Sequence, residues 1–367
     1  MIKLKPISEQ VVVVFGASSG IGRETALRFA VERGAKVIVA ARGVDGLQSL
    51  VEEIREKNGE AEFFAADASD FDSVKRVADR AVDMYGRLDT WVHAAAVSLY
   101  ATFEQTTPEE FKRIVDVNLV GQAYGAMAAL PHIKREGRGA LIHISSVEAR
   151  QALPYQSAYA SSKHGMKGFL TALRMELEHE NIPISVTEIK PSGINTPFFN
   201  KARTKLGVKP MPVPPIYQPQ LVAGAILYAA ENAVPEITVG GGGKAIEITG
   251  QLAPRLADAV LMRMAFEGQK TDEPKSENAP DNLHEPLAGF NRVEGDFTEQ
   301  AKGTSAYTWM ATHPFVGKLV AGVALGAAAS FIIGKAISNK RNSYALDDES
   351  YWTIDMESNV VREQVAS

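Results

Sequence analysis

Tyr159 and Lys163, in Ser157-Ala-Tyr-Ala-Ser-Ser-Lys-His, are spaced to share acid–base chemistry. Residues four apart on a helix lie on one face, so a phenol and an ammonium can meet at one point. A free tyrosine titrates near about 10 and exchanges protons poorly at neutral pH. A fixed cation about 4 Å away is worth roughly 4 kcal/mol at an effective dielectric of about 20, which predicts a phenol held below its ordinary value. Ordinary neighbours on a helix surface also form Tyr-x-x-x-Lys pairs, so the case turns on the elements that would position this one.

Val11-Val-Val-Val-Phe15 reads as a buried parallel strand. It runs directly into Gly16-Ala-Ser-Ser-Gly20-Ile-Gly22 and then into Arg23–Ala30, which has helical spacing. Strand, glycine turn and helix in that order make a dinucleotide site: glycines let backbone approach a pyrophosphate, whose charge rests against the helix N-terminus. The spacing Gly-x-x-x-Gly-x-Gly differs from the commoner Gly-x-Gly-x-x-Gly, and a flexible loop is the alternative. After the second strand the chain reads Val39-Ala-Ala-Arg42-Gly43, with no carboxylate before Asp45. A carboxylate there would hold a ribose 2′-hydroxyl and repel a 2′-phosphate, whereas a guanidinium can meet that phosphate with two charge-assisted hydrogen bonds. Arg42 therefore points to NADP(H), with plain surface charge as the alternative.

Taken together these residues resemble the short-chain dehydrogenase/reductase family, NAD(P)-dependent oxidoreductases built on one doubly wound, Rossmann-type α/β domain. The resemblance runs from about Gln10 to about Phe266. It rests on Gly16, Gly20 and Gly22, on Asn118 in Val115-Asp-Val-Asn-Leu, on Ser146 in Ile142-His-Ile-Ser-Ser, and on Tyr159 with Lys163. Ser146 rather than Ser145 has the family's spacing to the tyrosine. The resemblance implies a catalytic tetrad of Asn118, Ser146, Tyr159 and Lys163. Tyr159 would act as general acid and base, Ser146 would fix the carbonyl oxygen, Lys163 would hold the cofactor ribose, and Asn118 would bend its helix and carry a relay water. NADP(H) would rest on Gly16, Ser18, Ser19, Gly20, Ile21, Gly22 and Arg42, with Asp67 at the adenine, Tyr159 and Lys163 at the ribose, and Ile194 and Thr196 at the carboxamide. A homodimer or homotetramer is implied through the helices around 108–134 and 158–180.

Two departures stand out. His93-Ala-Ala-Ala96 replaces the family's Asn-Asn-Ala-Gly, an amide pair that ties the central sheet together, and Pro191-Ser192 replaces Pro-Gly. The first is the one feature favouring a rival function, a non-catalytic NADP(H)-binding scaffold or regulator recruited to a membrane by its tail. The substrate pocket is expected around Ser98, Leu99, Tyr100, Val147, Glu148, Leu153 and Tyr155, capped by the proline-rich insertion Ile194–Pro219. Several of these are apolar or aromatic, which suggests a lipophilic ketone, aldehyde or alcohol.

The 367 residues are 45% hydrophobic and 23% charged, as in a globular protein, and the net charge of -5 argues against a general nucleic-acid surface. With no cysteine, disulfides, zinc–thiolate sites and thiol nucleophiles are excluded. Seven scattered histidines suggest no metal site; His179 lies between glutamates on a helix face. Strands alternate with helices, which predicts a parallel sheet: 35–40, 61–65, 88–93, 140–144 and 184–189 follow the first strand, with a last strand near 245–248. Gly240-Gly-Gly-Gly-Lys244 lacks a phosphate loop's spacing and reads as a turn. The catalytic domain is expected over 1–268. Residues 269–312, rich in Asp, Glu, Asn, Pro and Gly, read as an acidic disordered linker. An apolar helix over 313–338, with Gly322, Gly326, Ser330 and Gly334 as a small-residue stripe, suits a membrane anchor, and 339–367 reads as an acidic mobile tail. The first residues are too polar for a secretory signal, so a cytoplasmic domain, tethered by that helix, is the expectation.

Overall fold

In the computed structural model residues 2–313 are described. Val11–Phe15 forms β1, buried along its whole length. Its side chains alternate between two layers: Val12 and Val14 enter one core, Val11, Val13 and Phe15 the other. A strand covered on both faces belongs inside a doubly wound sheet, which is why its run is continuously apolar. The remaining strands are β2 (Lys36–Ala41), β3 (Glu60–Ala65), β4 (Thr90–His93), β5 (Gly139–Ile144), β6 (Ile184–Pro191) and β7 (Glu236–Val239). They form one seven-stranded sheet in the order 3-2-1-4-5-6-7, and every pairing is parallel.

Helices cover both faces. On one side α1 (Gly20–Leu27) and α2 (Val44–Glu56) contribute Ala26, Leu47, Leu50 and Ile54 to the core. On the other, α3 (Phe71–Tyr85), α4 (Pro108–Val115), α5 (Gly121–Arg135) and α6 (Ser157–His179) contribute Val77, Ile114, Ala129 and Met166. Between α4 and α5 the helix widens into a π-helical turn, Asp116–Val120, which carries Asn118. Such turns interrupt the regular ladder and free a side chain to bond elsewhere.

Three expectations are corrected. The last strand is Glu236–Val239, not 245–248; those residues belong to α7 (Gly241–Leu252). The alternation of Glu236-Ile-Thr-Val carries the pairing to β6, whereas the later apolar residues sit at helical spacing. Of the four glycines read as a turn, Gly240 caps that helix and the other three begin it. A Cβ at Gly243 would lie 2.6 Å from the Val147 side chain, so the missing side chain lets α7 approach the site. Residues 269–312, read as a disordered linker, fold onto the domain. Gln269 and Leu283 are fully buried, Lys270–Pro274 pairs antiparallel with Val208–Pro210, and Phe297 packs against Phe199. Met1–Thr312 is accordingly one unit. Composition misled because sparse anchors and ion pairs, such as Lys209 at 2.7 Å from both Glu273 and Asp296, hold this segment without an aliphatic run.

Among the described residues no helix is long and apolar enough to cross a membrane. The apolar stretch expected over 313–338, beyond its first residue, and the tail 339–367 lie outside the described residues.

Candidate active site

Two cavities open along the C-terminal ends of the strands, where ligands bind in open α/β sheets. The larger, about 460 Å³, is lined by Gly16, Ser18, Ser19, Gly20, Ile21 and Gly22, by Arg42 and Asp67, and by Thr196. The smaller, about 160 Å³, is lined by Ser146, Tyr159, Lys163, Ile194 and Thr196, among others. Ile21 and Thr196 line both.

The glycine turn is built for close approach. Gly16 has φ +89°, and a Cβ there would lie 2.4 Å from the Ala95 amide nitrogen; one at Gly22 would lie 2.3 Å from the Gly16 carbonyl oxygen. Glycine is therefore required at both positions for the turn to pack backbone against backbone at the end of the sheet. Two cations converge on the same cavity. Arg42 directly follows β2, and Lys201, on the short helix Phe198–Lys201, donates to Ser19 Oγ at 2.6 Å. Burial, with the Arg42 charge adding to it, lowers the Lys201 ammonium to about 8. Asp67 is the acidic group here, and Arg113 engages it at 3.0 Å. Burial raises the Asp67 carboxyl, but the Ser69 and Arg113 hydrogen bonds outweigh it and hold the group below its ordinary value.

Sequence reasoning missed Lys201 and the whole rim formed by 282–295. Arg42 donates to the carbonyls of Asn282 and His284, both at 2.6 Å. The Gly20 amide, at the start of α1, donates to the Arg292 carbonyl at 2.9 Å. Pro286, Leu287 and Asn291 join the lining. No local motif announces these residues, because their roles come from a segment some 240 positions away in the chain folding back across the cleft.

In the smaller cavity the expected residues come together. Tyr159 and Lys163 share one face of α6, with Lys163 Nζ 5.4 Å from the phenol ring centroid. Nζ donates to the Ile144 carbonyl at 2.9 Å, which ties α6 to the end of β5. Ser146 follows β5, accepts the Glu148 amide at 3.1 Å and hydrogen-bonds the phenol of Tyr159. Ser145 lines this cavity too, but its hydroxyl has no hydrogen-bond partner among the described residues, and its amide bonds the Ile189 carbonyl at 2.7 Å. Asn118 is fully buried and clamps Val97, accepting its amide at 2.9 Å and donating to its carbonyl at 2.8 Å.

One electrostatic expectation is corrected. Burial pushes the Tyr159 phenol above its ordinary value, the Glu148 carboxyl adds to this, and the Ser146 hydrogen bond only partly opposes it. The ammonium sits over the ring rather than on the phenolic oxygen, and burial lowers it in turn to about 8. Desolvation wins because both partners of the pair have left water.

The His93 departure has a physical replacement. His93 stacks on Phe15 at 5.0 Å and on His143 at 6.1 Å. Gln122 on α5 donates to the carbonyls of His93 and Ala95 and bonds His143 Nδ1 at 2.8 Å. Burial holds both imidazoles neutral at physiological pH, His143 near about 3. Of the expected substrate residues, Tyr100, Val147, Glu148 and Leu153 line the smaller cavity with Met211–Pro215 of the insertion. Ser98, Leu99 and Tyr155 stand behind it: Ser98 bonds Gln156 at 3.4 Å, and Tyr155 packs on Phe266.

Residues 10–207 match the family model described as short chain dehydrogenase. An uncharacterized oxidoreductase of Bacillus subtilis (strain 168), YxnA, is 38% identical over 331 residues, which cover 89% of this chain and 92% of that protein. The 3-oxoacyl-(acyl-carrier-protein) reductase FabG of Thermotoga maritima is 30% identical over 246 residues, covering 66% of this chain and 97% of that one. Among solved structures, an alcohol dehydrogenase from the archaeon Thermococcus sibiricus complexed with 5-hydroxy-NADP superposes with a TM-score of 0.55 at 26% identity, over 63% of this chain and 95% of that chain. A short chain dehydrogenase from Mycobacterium paratuberculosis bound to NAD gives a TM-score of 0.57 at 26% identity, over 64% and 97%.

Proposed function

The chain belongs to the short-chain dehydrogenase family, and on that premise we propose that it is an NADP(H)-dependent reductase converting a ketone or aldehyde to an alcohol. The observation that carries the reading is Ser146, Tyr159 and Lys163 meeting in one cavity that shares Ile21 and Thr196 with the glycine-lined cleft.

The cleft fits a dinucleotide. Its glycine cradle has no room for side chains, and Arg42 and Lys201 bring positive charge that suits phosphate. Arg42 would take the 2′-phosphate and Lys201, beside Ser19 of the glycine turn, the pyrophosphate. Asp67 would face the adenosine, and Thr196 the carboxamide. The bound nicotinamide supplies the hydride.

This chain's residues supply the proton and the orientation. As negative charge grows on the carbonyl oxygen, Tyr159 delivers a proton to it and Ser146 donates a second hydrogen bond. A phenol raised by burial stays protonated at neutral pH, as the acid role requires. Ser146 is pre-oriented, because its oxygen already accepts the Glu148 amide and its hydroxyl is hydrogen-bonded with the phenol. Lys163 places positive charge under the reacting groups while anchored to Ile144. Asn118, locked on Val97, fixes the π-helical turn beside the site rather than reaching into it.

The scaffold reading loses its motive, since the His93–Gln122–His143 network ties β4, β5 and α5 together in place of the family's amide pair. A homodimer or homotetramer is part of the proposal.

The test is NADPH consumption across a panel of ketones and aldehydes, with NADPH binding followed separately by nicotinamide fluorescence. Tyr159→Phe is expected to lower kcat by about 10²–10⁴-fold while NADPH still binds. A variant as active as the parent would remove the mechanism.

A further inference from the structure

The turn that orients Ser146 also buries a carboxyl that the proton transfer leaves unused. Val147–Ala149 is a single 3-10 turn capped by Ser146, and it places Glu148, 5% exposed, against the smaller cavity. The Leu153 amide hydrogen-bonds its carboxyl, but Oε2 has no hydrogen-bond partner among the described residues. The phenols of Tyr100 and Tyr159 and the ammonium of Lys163 are its electrostatic neighbours, and all three line the same cavity. A pocket shaped only for hydrocarbon would be served by leucine or valine at this position, without the cost of desolvating an acid. A buried carboxyl in the wall of a ligand cavity, with one oxygen lacking a partner, selects ligands that complete it, and rejects analogues lacking the matching group.

The charges nearby narrow that group. A substrate ammonium would share about 160 Å³ with the Lys163 ammonium, and a carboxylate or phosphate would face the acid itself. A neutral hydroxyl suits both neighbours: it donates to the carboxylate and accepts from the carboxylic acid. Burial raises Glu148 to about 8, so both forms are within reach near neutral pH, and a hydroxyl serves either. The sequence spacing and the small volume keep this contact near the reacting carbonyl: Ser146 and Glu148 are two residues apart on one turn.

We propose that Glu148 is a substrate-binding residue selecting carbonyl compounds that carry a neutral hydroxyl within a few bonds of the reacting carbonyl, namely hydroxyketones or hydroxyaldehydes, reduced to diols. The proposal rests on the reductase reading and replaces a purely lipophilic substrate with an oxygenated one.

Matched probes test it: 3-hydroxybutan-2-one against butan-2-one, and 2-hydroxycyclohexanone against cyclohexanone, each with NADPH. The parent protein is expected to favour the hydroxylated member in kcat/KM by about tenfold or more. Glu148→Leu should bring that ratio close to one, mainly through KM for the hydroxyketones, and Glu148→Gln, which keeps a donor and an acceptor, should restore part of it. NADPH fluorescence titration verifies that each variant is folded and loaded. A parent without preference, or a ratio unchanged in both variants, overturns the assignment while leaving the reductase reading intact. NADPH binding with no turnover of any of the four ketones would overturn the assignment, and inactivity across the wider panel of ketones and aldehydes as well would remove the reductase reading.

Discussion

At the scale of single residues, the cleft is defined by which charges have partners. Arg42 is held by two backbone carbonyls, and Lys201 by a serine hydroxyl, so among the described residues neither has a direct ion pair; Asp67, a nearby carboxylate, is engaged by Arg113. A charge-assisted hydrogen bond contributes about 1.5–3 kcal/mol, which is roughly a tenfold to hundredfold change in Kd. Arg42→Ala is therefore expected to weaken NADPH binding by at least about tenfold in a fluorescence titration and to leave NADH nearly unaffected. Lys201→Ala should weaken both, because the pyrophosphate is common to them. Equal losses of NADPH and NADH in Arg42→Ala would contradict the 2′-phosphate assignment. A silent Lys201→Ala would remove that residue from the site.

At the scale of elements, α5 and α6 each serve two faces. Inward, α5 carries Gln122 to His143 and to the backbone of β4, and a Cβ on Gly125 would lie 2.4 Å from His93 Nδ1. Histidine at 93 thus requires a helix position without a side chain to accommodate its ring. Outward, the two helices expose Met127 and Met175, at 59% and 60%, and α6 also exposes the small residues Ser161, Gly168 and Ala172, with His164 and Glu176 beside them. Large exposed apolar side chains among small residues are suited to contact a second copy. Light scattering is expected to give a dimer or tetramer for the parent chain, and the double variant Met127→Lys, Met175→Lys is expected to shift it toward monomer. A parent that runs as a monomer across micromolar concentrations would end the oligomer proposal.

At the scale of the whole molecule, what could be read from sequence was whatever has a local cause. β1 and α1 differ in side-chain period, the glycine turn between them has its own chemistry, and Tyr159 and Lys163 are one helical turn apart, so these positions were legible. Glu236–Val239 was missed because a four-residue strand beside a glycine run gives little periodic signal. Residues 269–312 were misread because their order depends on contacts distant in sequence, not on their own composition. Leu283 reaches the core beneath α3 and α4, Phe297 joins Tyr100 and Phe199, Gln269 bonds Gln156 at 2.8 Å, and Arg203 pairs with Asp281 at 3.1 Å. Fully burying one leucine or phenylalanine contributes about 1.5–3 kcal/mol, and a domain's net stability is only about 5–15 kcal/mol. A chain ended after Gly268, where composition places the boundary, therefore loses a large share of that margin and also the carbonyls that hold Arg42. Such a truncation is expected either not to fold or to melt more than about 10 °C below the full chain by circular dichroism, at about 2–4 °C per kcal/mol for a domain of this size. Leu283→Ala in the full chain separates burial from mere length, with an expected loss of about 2–5 kcal/mol. If the truncated chain melts with the parent and protease cuts 269–312 as readily as an unfolded peptide, the segment is a linker after all and its place in the cofactor cleft is lost with it.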